Sequence, residues 1–256
     1  MTVYGFTYNG THSSTYGVYA TSTVTGILPP VNSVSLNVPK RPGLWYTRTD
    51  LGPRWIQVHV SVTATSNMDL RTQIRNIAAW LSPASGLQSL SFDNEPNLTY
   101  YAVPDEGMGG GAGTQSTDIT QMVTLGNGKV IFMCADPFAY DTQQSATFAS
   151  DSASPDVTGT YQTYPVISLT LTAAATSLKV THASSGKFML LNSSFASGDT
   201  VTIDCTRGLV SINGSPAMTA LDITSQFFAL QPGANTLNIT PTGVTSGSLN
   251  WTPRWL

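Results

Sequence analysis

The sequence is poor in charge and cysteine, and it has no long apolar run. Charged residues make up 10% of the 256 positions, against about 25% in ordinary soluble domains. The net charge is −3 and Lys and Arg form no dense cluster, which argues against nucleic-acid or anionic-membrane binding. No apolar stretch is long enough for a membrane helix. The first residues, MTVYGFTYNGTHSS, lack the basic and apolar regions of a signal peptide, so we expect synthesis in the cytoplasm.

The two cysteines, Cys134 and Cys205, are too few and too far apart in sequence for a disulfide scaffold or a zinc site. Each follows an apolar β-like run, so we expect two buried free thiols. Whether the two thiols meet in space stays open.

Ser, Thr, 22 Gly and 15 Pro replace the missing charge, a mixture typical of short strands joined by turns. Residues 55–62 alternate as a strand does, with Ile56, Val58, Val60 and Val62 on one face. The Gly126-Asn127-Gly128 triplet predicts a hairpin turn between strands at 118–123 and 129–134.

One helix is predicted, at about residues 68–82. Its apolar stripe follows a 3.6-residue period and consists of Leu70, Ile74, Ile77, Ala78 and Leu81. Ser66, Asn67 or Asp69 can cap its first turn, and Pro83 ends it.

A change of composition after Tyr140, in DTQQSATFASDSASPDVTGT, marks the best domain boundary. Residues 1–140 are predicted to form a β-rich domain that contains the helix. Residues 141–256 consist of regularly spaced short strands, which favours a jelly-roll β-sandwich. The fold class is therefore mainly β with one helix.

The segment from Pro39 to Pro53 is predicted to be a long loop that carries Trp45 and several Arg. Long loops in compact proteins usually bind a partner or are disordered, so a binding loop and a solvated surface loop are both open. Arg and aromatic residues are frequent interface anchors.

Residues with catalytic chemistry do not assemble into a known motif. Asp93 and Glu95, beside Pro96, could serve as a carboxylate pair on a glycan, but a polar turn explains the same residues better. His12, His59 and His182 lie in separate segments without a metal-ligand spacing. The glycine-rich stretch at 107–114, GMGGGAGT, lacks the GK[ST] ending of a phosphate loop. We predict no enzyme activity, no cofactor and no metal.

Four aromatic residues could stack on sugar rings or fill a core or interface. They are Tyr100, Tyr101, Trp251 and Trp255.

Motifs in order along almost the whole chain resemble the siphophage distal tail protein family, the siphovirus-type tail component of phages that infect Gram-positive bacteria. In the first half the matching residues are Leu90, Phe92, Asp93, Glu95, Pro96, Tyr100, Tyr101, Ala102, Phe132, Cys134, Asp136, Pro137, Phe138 and Tyr140. In the second half they are Gly159-Thr160, Tyr164-Pro165, Gly198-Asp199, Ile203-Asp204-Cys205, residues 208–214, Phe228 and residues 230–235.

The resemblance implies an N-terminal domain that closes into a hexameric ring, and a galectin-like sandwich as the second domain, with the last residues packing back on the first. It implies a structural hub at the virion tail tip that joins the tail tube protein, a tail-tip hub protein of the tail-associated lysin type and the receptor-binding or baseplate proteins. Within this family pattern, Asp93, Glu95 and Pro96 are expected to hold a hairpin turn. Arg41, Trp45, Arg48 and Arg54 are the candidate contacts with a neighbouring subunit. The alternative is a carbohydrate-binding protein that attaches to host cell-wall glycan through the sandwich.

Overall fold

The structure is a computed structural model that describes residues 5–105, 118–121 (backbone only) and 125–256. It divides into two compact units, Met1–Ala139 with Leu256 and Tyr140–Trp255. The fold class is confirmed: both units are mainly β, and the described residues contain one α-helix. The glycine-rich stretch 107–114 lies outside the described residues.

The first unit is an antiparallel sheet with the strand order β2-β1-β7-β8-β10-β6-β3, to which β9 adds along part of β10. A separate two-stranded sheet consists of β4 and β5. The strands are β1 (Phe6–Tyr8), β2 (Thr11–His12), β3 (Val18–Thr25), β4 (Val31–Leu36), β5 (Trp45–Leu51), β6 (Arg54–Thr63), β7 (Gln88–Phe92), β8 (Glu95–Pro104), β9 (Asp118–Gln121), β10 (Leu125–Cys134) and β11 (Ala139–Tyr140).

Strand β6 shows why this sheet forms. Its buried and half-buried residues alternate from Arg54 to Val62, and the predicted apolar face is confirmed, since Ile56, Val58, Val60 and Val62 are all buried. Alternate side chains of a strand point to opposite faces, so one face enters the core.

Helix α1 spans Asn67–Trp80, close to its predicted bounds. The Ser66 hydroxyl accepts a hydrogen bond from the Asp69 N–H (3.1 Å) and so caps the first turn. The Trp80 ring stacks on Phe6 and Tyr16 at centroid distances of 5.5 and 4.9 Å. Its indole N–H donates to the Tyr8 carbonyl (3.1 Å), which fixes the helix to β1.

The turn predicted at Gly126-Asn127-Gly128 is wrong. These residues lie inside β10 and pair with Val62, Ser61 and Val60 of β6. The Asn-Gly signal is local, whereas β10 and β6 pair along ten residues from Leu125 to Cys134. The residues that join β9 to β10, 122–124, lie outside the described part of the chain.

The second unit has the two sheets of a sandwich, in the strand orders β12-β23-β15-β18-β19-β20 and β13-β22-β16-β17. Both sheets contribute to one apolar core, which includes Leu169, Leu191, Ile203 and Trp251. The strands are β12 (Gln144–Thr147), β13 (Ser152–Ala153), β14 (Asp156–Val157), β15 (Val166–Leu171), β16 (Ala175–His182), β17 (Phe188–Phe195), β18 (Thr200–Asp204), β19 (Leu209–Ile212), β20 (Ser215–Pro216), β21 (Gly233–Ala234), β22 (Leu237–Thr240), β23 (Thr245–Trp251) and β24 (Arg254–Trp255).

The outer edge of β17 is covered by the segment that follows the short 3-10 helix Met218–Ala220. The Asp222 N–H donates to the Leu190 carbonyl (2.8 Å), and the Gln226 N–H donates to the Phe188 carbonyl (2.9 Å). The Ser225 hydroxyl accepts from the Leu190 N–H (2.9 Å). The hydrogen-bonding groups at the end of this edge that holds Phe188 and Leu190 are thereby occupied from within the domain.

Candidate functional site: the exposed hairpin of the first unit

The prediction of a loop from Pro39 to Pro53 is wrong for the second half of that segment. This half forms strand β5, which pairs with β4. We call β4, β5 and the residues between them, 31–51, the exposed hairpin. The pairing runs from Val31 with Leu51 to Leu36 with Trp45. At the base, the Gly52 N–H donates to the Pro30 carbonyl (2.7 Å).

Both faces of the exposed hairpin are open in the single chain. All six residues of β4 and all but the last residue of β5 are exposed. The exposed large apolar side chains are Val31, Val34, Leu36, Leu44, Trp45 (55% exposed) and Tyr46. A two-stranded hairpin with no packed face is marginally stable in water at best, so this element needs a covering surface.

The register assigns different chemistry to the two faces. Val34, Leu36, Trp45 and Arg48 share one face, because paired residues of a ladder point to the same side. The opposite face carries small hydroxyl residues with Tyr46, whose hydroxyl bonds the Thr49 hydroxyl (2.6 Å). The first face therefore combines apolar side chains with Arg48, which pairs with Asp50 of the same strand, and Arg and aromatic residues are typical interface anchors.

Two of the predicted interface arginines are held in place on this hairpin. The Arg41 guanidinium lies 4.6 Å from the Trp45 ring centroid, a cation–π contact. Arg48 Nε lies 3.1 Å from Asp50 Oδ2. The structure thus brings together three of the four sequence-predicted contacts: Arg41, Trp45 and Arg48.

Arg54 is separate from them. It begins β6, faces the core side of the sheet and is only 5% exposed. Its Nε and Nη2 have no hydrogen-bond partner among the described residues. Burial raises the pKa of the neighbouring Cys134 thiol to about 12, and the Arg54 charge opposes that shift.

The Asp93 segment forms the turn between β7 and β8. Phe92 pairs with Glu95, so Asp93 and Asn94 are the two turn residues, and Glu95 and Pro96 begin β8. Asp93 Oδ2 accepts a hydrogen bond from the Gly5 N–H (2.7 Å). Asp93 and Glu95 are therefore placed differently: one carboxylate is engaged with the backbone, and the other is exposed on the strand.

His12 joins the Asp93 group, which sequence reasoning missed. His12 Nε2 lies 3.2 Å from Asp93 Oδ1, and Nδ1 lies 2.7 Å from the Ser14 hydroxyl. Ser, His and Asp in contact have the composition of a nucleophile relay. However, the Ser14 N–H also donates to His12 Nδ1 (3.3 Å), because His12 caps the 3-10 helix Ser13–Tyr16. The geometry is that of a structural cap.

The other histidines have local partners. His59 Nε2 lies 2.8 Å from the Gln57 amide nitrogen. His182 is fully buried, stacks on Phe228 at 5.2 Å and contacts Ser184, Ser185 and Asn235. Within residues 5–105 and 125–256, no group of three His, Cys, Asp or Glu side chains could hold a metal ion. No helix in the described part of the chain is long and apolar enough to cross a membrane.

The candidate sugar-stacking aromatics are dispersed. Tyr100 and Trp251 are buried, so their ring faces are used for packing. Tyr101 is 48% exposed on β8, and Trp255 is half-buried on β24. Tyr100 and Trp251 therefore pack in the core, which was the alternative to sugar stacking in the sequence analysis.

Comparisons with known proteins agree with this architecture. A family model described as a phage tail protein RIFT-related domain matches residues 12–134. A second, described as the C-terminal domain of the siphovirus-type tail component, matches residues 158–255. The distal tail protein of Bacillus phage SPP1 is 30% identical over 155 residues, which are 57% of this chain and 56% of that protein. The sequence alignment thus spans little more than half of the curated relative.

Among solved structures, the chain is similar to the SPP1 Dit protein, with a TM-score of 0.80, 21% identity and coverage of 99% of this chain and 100% of that chain. That protein is described as a paradigm of the hub adsorption apparatus in phages that infect Gram-positive bacteria. A chain of the phage p2 baseplate has a TM-score of 0.43 and 7% identity, with 97% of both chains covered. The chain belongs to the siphophage distal tail protein family.

Proposed function

We propose that this chain is the structural hub of a siphophage tail tip, and that its first domain closes into a hexameric ring. The observation that carries the proposal is the exposed hairpin, which has both faces open and holds Trp45 and Arg41 in one cluster. Exposed apolar patches of this kind mark interaction surfaces. Family membership supports a second copy of the chain as the occupant.

The topology offers the two different surfaces that a ring requires. A head-to-tail interface uses two distinct patches on each subunit, and it closes when the rotation divides a full circle. The exposed hairpin extends from the link between β3 and β6, which form one side of the sheet, whereas β1 and β2 form the other. A hairpin extending from one side is therefore available to cover the next subunit.

The ring would join the tail tube protein on one side to the tail-tip hub protein and the receptor-binding or baseplate proteins on the other. Its place would be the virion tail tip, and its role would be structural rather than enzymatic. The low content of charged residues, 10%, suits a chain with large partner-covered surfaces, because obligate interfaces are extensive and apolar.

The test is the molar mass of the purified chain by light scattering after gel filtration over a wide concentration range, with negative-stain microscopy of the largest species. We expect a species of six protomers that is ring-shaped, alone or on addition of tail tube protein. The double variant Trp45→Ala/Arg48→Ala should raise the concentration needed for the ring by about tenfold or more. A monomer at every concentration, with and without tube protein, would overturn the proposal.

A matched control is available in the second domain. Ile223 is 98% exposed, and the Arg207 side chain is 78% exposed. The double variant Ile223→Ala/Arg207→Ala removes the same kinds of group from another surface and should leave the ring intact. A ring undiminished by the Trp45 and Arg48 changes would exclude the hairpin as its interface.

A further inference from the structure

Among the described residues, Glu95 has no hydrogen-bond or ion-pair partner, in contrast to the other described carboxylates of the first domain. Within residues 5–105 and 125–139, Asp50 pairs with Arg48, Asp69 with Thr65, Asp93 with His12, Asp105 with Trp55 and Asp136 with the Phe138 N–H. Glu95 makes no hydrogen bond or ion pair there and is exposed. Among the carboxylates of the first domain that the structure describes, it is the one left without such a partner.

The exposed hairpin carries the complementary charge at its tip. Lys40 and Arg41 lie between β4 and β5, are exposed and have no carboxylate partner among the described residues. Stacking on Trp45 occupies one face of the Arg41 guanidinium, whereas its N–H groups lie in the plane of that group. An arginine held in this way retains the donors that bind a carboxylate, and it is already ordered for the contact.

The strand that bears Glu95 also offers apolar surface for the rest of the hairpin face. Tyr101 of β8 is 48% exposed and Leu87, just before β7, is 49% exposed. Gln88 pairs with Ala102 and Ser89 with Tyr101, so these two exposed side chains lie on the same hairpin as Glu95. They are of the same aromatic and aliphatic kinds as the exposed Trp45 and Leu36 of the hairpin.

The β7–β8 surface is separate in the sheet from β3 and β6, the strands to which the exposed hairpin is connected. β7 and β8 are separated from β3 and β6 by β10 in the sheet order. Since the two ends of a head-to-tail contact must be different surfaces, a donor hairpin at β3–β6 and an acceptor at β7–β8 satisfy that requirement.

We propose that the tip of the exposed hairpin docks on β7–β8 of the next subunit and that Arg41 of one chain pairs with Glu95 of the other. This inference rests on the ring proposed above and specifies its acceptor. The charge pair sets the register of the contact, and the apolar faces supply most of the buried area.

Charge exchange tests the pair, with the ring measured by light scattering and microscopy as before. Arg41→Glu alone and Glu95→Arg alone each place like charges together, and each should raise the concentration of half-maximal ring formation by about tenfold or more. Every interface of a homo-oligomer contains both positions, so the double variant Arg41→Glu/Glu95→Arg should recover most of the wild-type ring. Glu95→Gln, which removes charge without reversing it, should give an intermediate loss and guards against misfolding of the Arg variant.

The control pair uses Arg71, an exposed arginine on α1. Arg71→Glu should leave the ring unchanged, and Arg71→Glu combined with Glu95→Arg should not recover it. A double Arg41/Glu95 variant as weak as its singles, in a wild type that forms rings, would overturn this contact and leave the ring. A wild type that forms no ring, alone or with tube protein, would overturn both.

Discussion

His12 and Asp93 lie 81 positions apart in the sequence, and their side chains meet at 3.2 Å at the edge of the first domain's sheet. The same carboxylate accepts the N–H of the buried Gly5 at 2.7 Å. A Cβ at position 5 would overlap His12 Nε2 and lie 2.8 Å from Asp93 Oδ2, so any larger residue there would displace this pair. One carboxylate thus holds the first strand, the 3-10 helix and the β7–β8 turn together.

Removing that carboxylate should loosen this corner. We expect Asp93→Ala to lower the free energy of unfolding of the first domain by about 1–2 kcal/mol, since the buried Gly5 N–H loses its acceptor. Asp93→Asn keeps an acceptor oxygen and should lose less. Urea unfolding followed by circular dichroism measures both, with Asn94→Ala in the same turn as control. Equal stability of Asp93→Ala and wild type would contradict this account.

The helix cap gives a second prediction. Ser66→Ala should destabilise the first domain by about 1 kcal/mol, because the Asp69 N–H loses its hydrogen bond to the Ser66 hydroxyl. Ser82 precedes the short 3-10 helix Pro83–Ser85 but makes no side-chain cap bond. Ser82→Ala should therefore be close to neutral in the same urea titration. A larger loss at Ser82 than at Ser66 would show that the cap is not what holds the helix start.

The two cysteines should be silent to thiol reagents in the native state. Burial raises the pKa of both the Cys134 and the Cys205 thiol to about 12, and the thiolate is the reactive form. At pH 8 we expect no labelling by a thiol reagent in buffer and two labelled thiols in urea. Ala84→Cys, at an exposed position, should add one fast-reacting thiol. Rapid labelling of the native wild type would refute the buried, protonated state.

Asp199 should make the stability of the second domain depend on pH. Hydrogen bonds from the Ala196 N–H (2.7 Å) and from the Asn213 side chain (2.9 Å) lower the pKa of this carboxyl below its ordinary value. A carboxyl with a lowered folded-state pKa stabilises the fold above its unfolded-state pKa, and that stability is lost as the pH falls through the folded value. Asp199→Asn should therefore be less stable than wild type at pH 7, and the difference should shrink as the pH falls below the ordinary Asp pKa of about 3.9.

Thermal unfolding of wild type and Asp199→Asn at pH 7 and at pH 2 to 3 measures that difference. Asp156, exposed on β14, supplies the control variant Asp156→Asn, for which the two pH values should give the same small difference. A gap between wild type and Asp199→Asn that persists unchanged at low pH would contradict the prediction.

The sequence predicts elements whose one face is buried and misses an element that has no buried face. The alternation of β6 and the period of α1 record the contrast between core and solvent. The exposed hairpin has no such contrast, since all of β4 is exposed, and its second strand, β5, was predicted as part of a loop. A partner that covers one face would create a contrast between buried and exposed residues, but the pattern of a single sequence does not include that partner.

Some residues of the candidate site were predicted from the sequence and others were not, because residue type is local information and the pairing of distant strands is not. Trp45, Arg41 and Arg48 were found through residue type alone. Arg54 is buried because it lies on the inward face of β6. The alternation of Ile56, Val58, Val60 and Val62, continued two residues back, places Arg54 on that face. The contact of His12 with Asp93 depends on the pairing of β1 with β7, and no local pattern encodes it.

The covered edge of β17 limits what the second domain can do when many copies are held together. An assembly that gathers several subunits raises the local concentration of each second domain to the millimolar range, at which open strand edges would join neighbouring sheets into one. Because Asp222 and Gln226 already occupy the end of this edge that holds Phe188 and Leu190, a strand of a neighbouring copy cannot pair with it there. That end of β17 is thereby protected from joining the sheets of two copies even where many copies are held together.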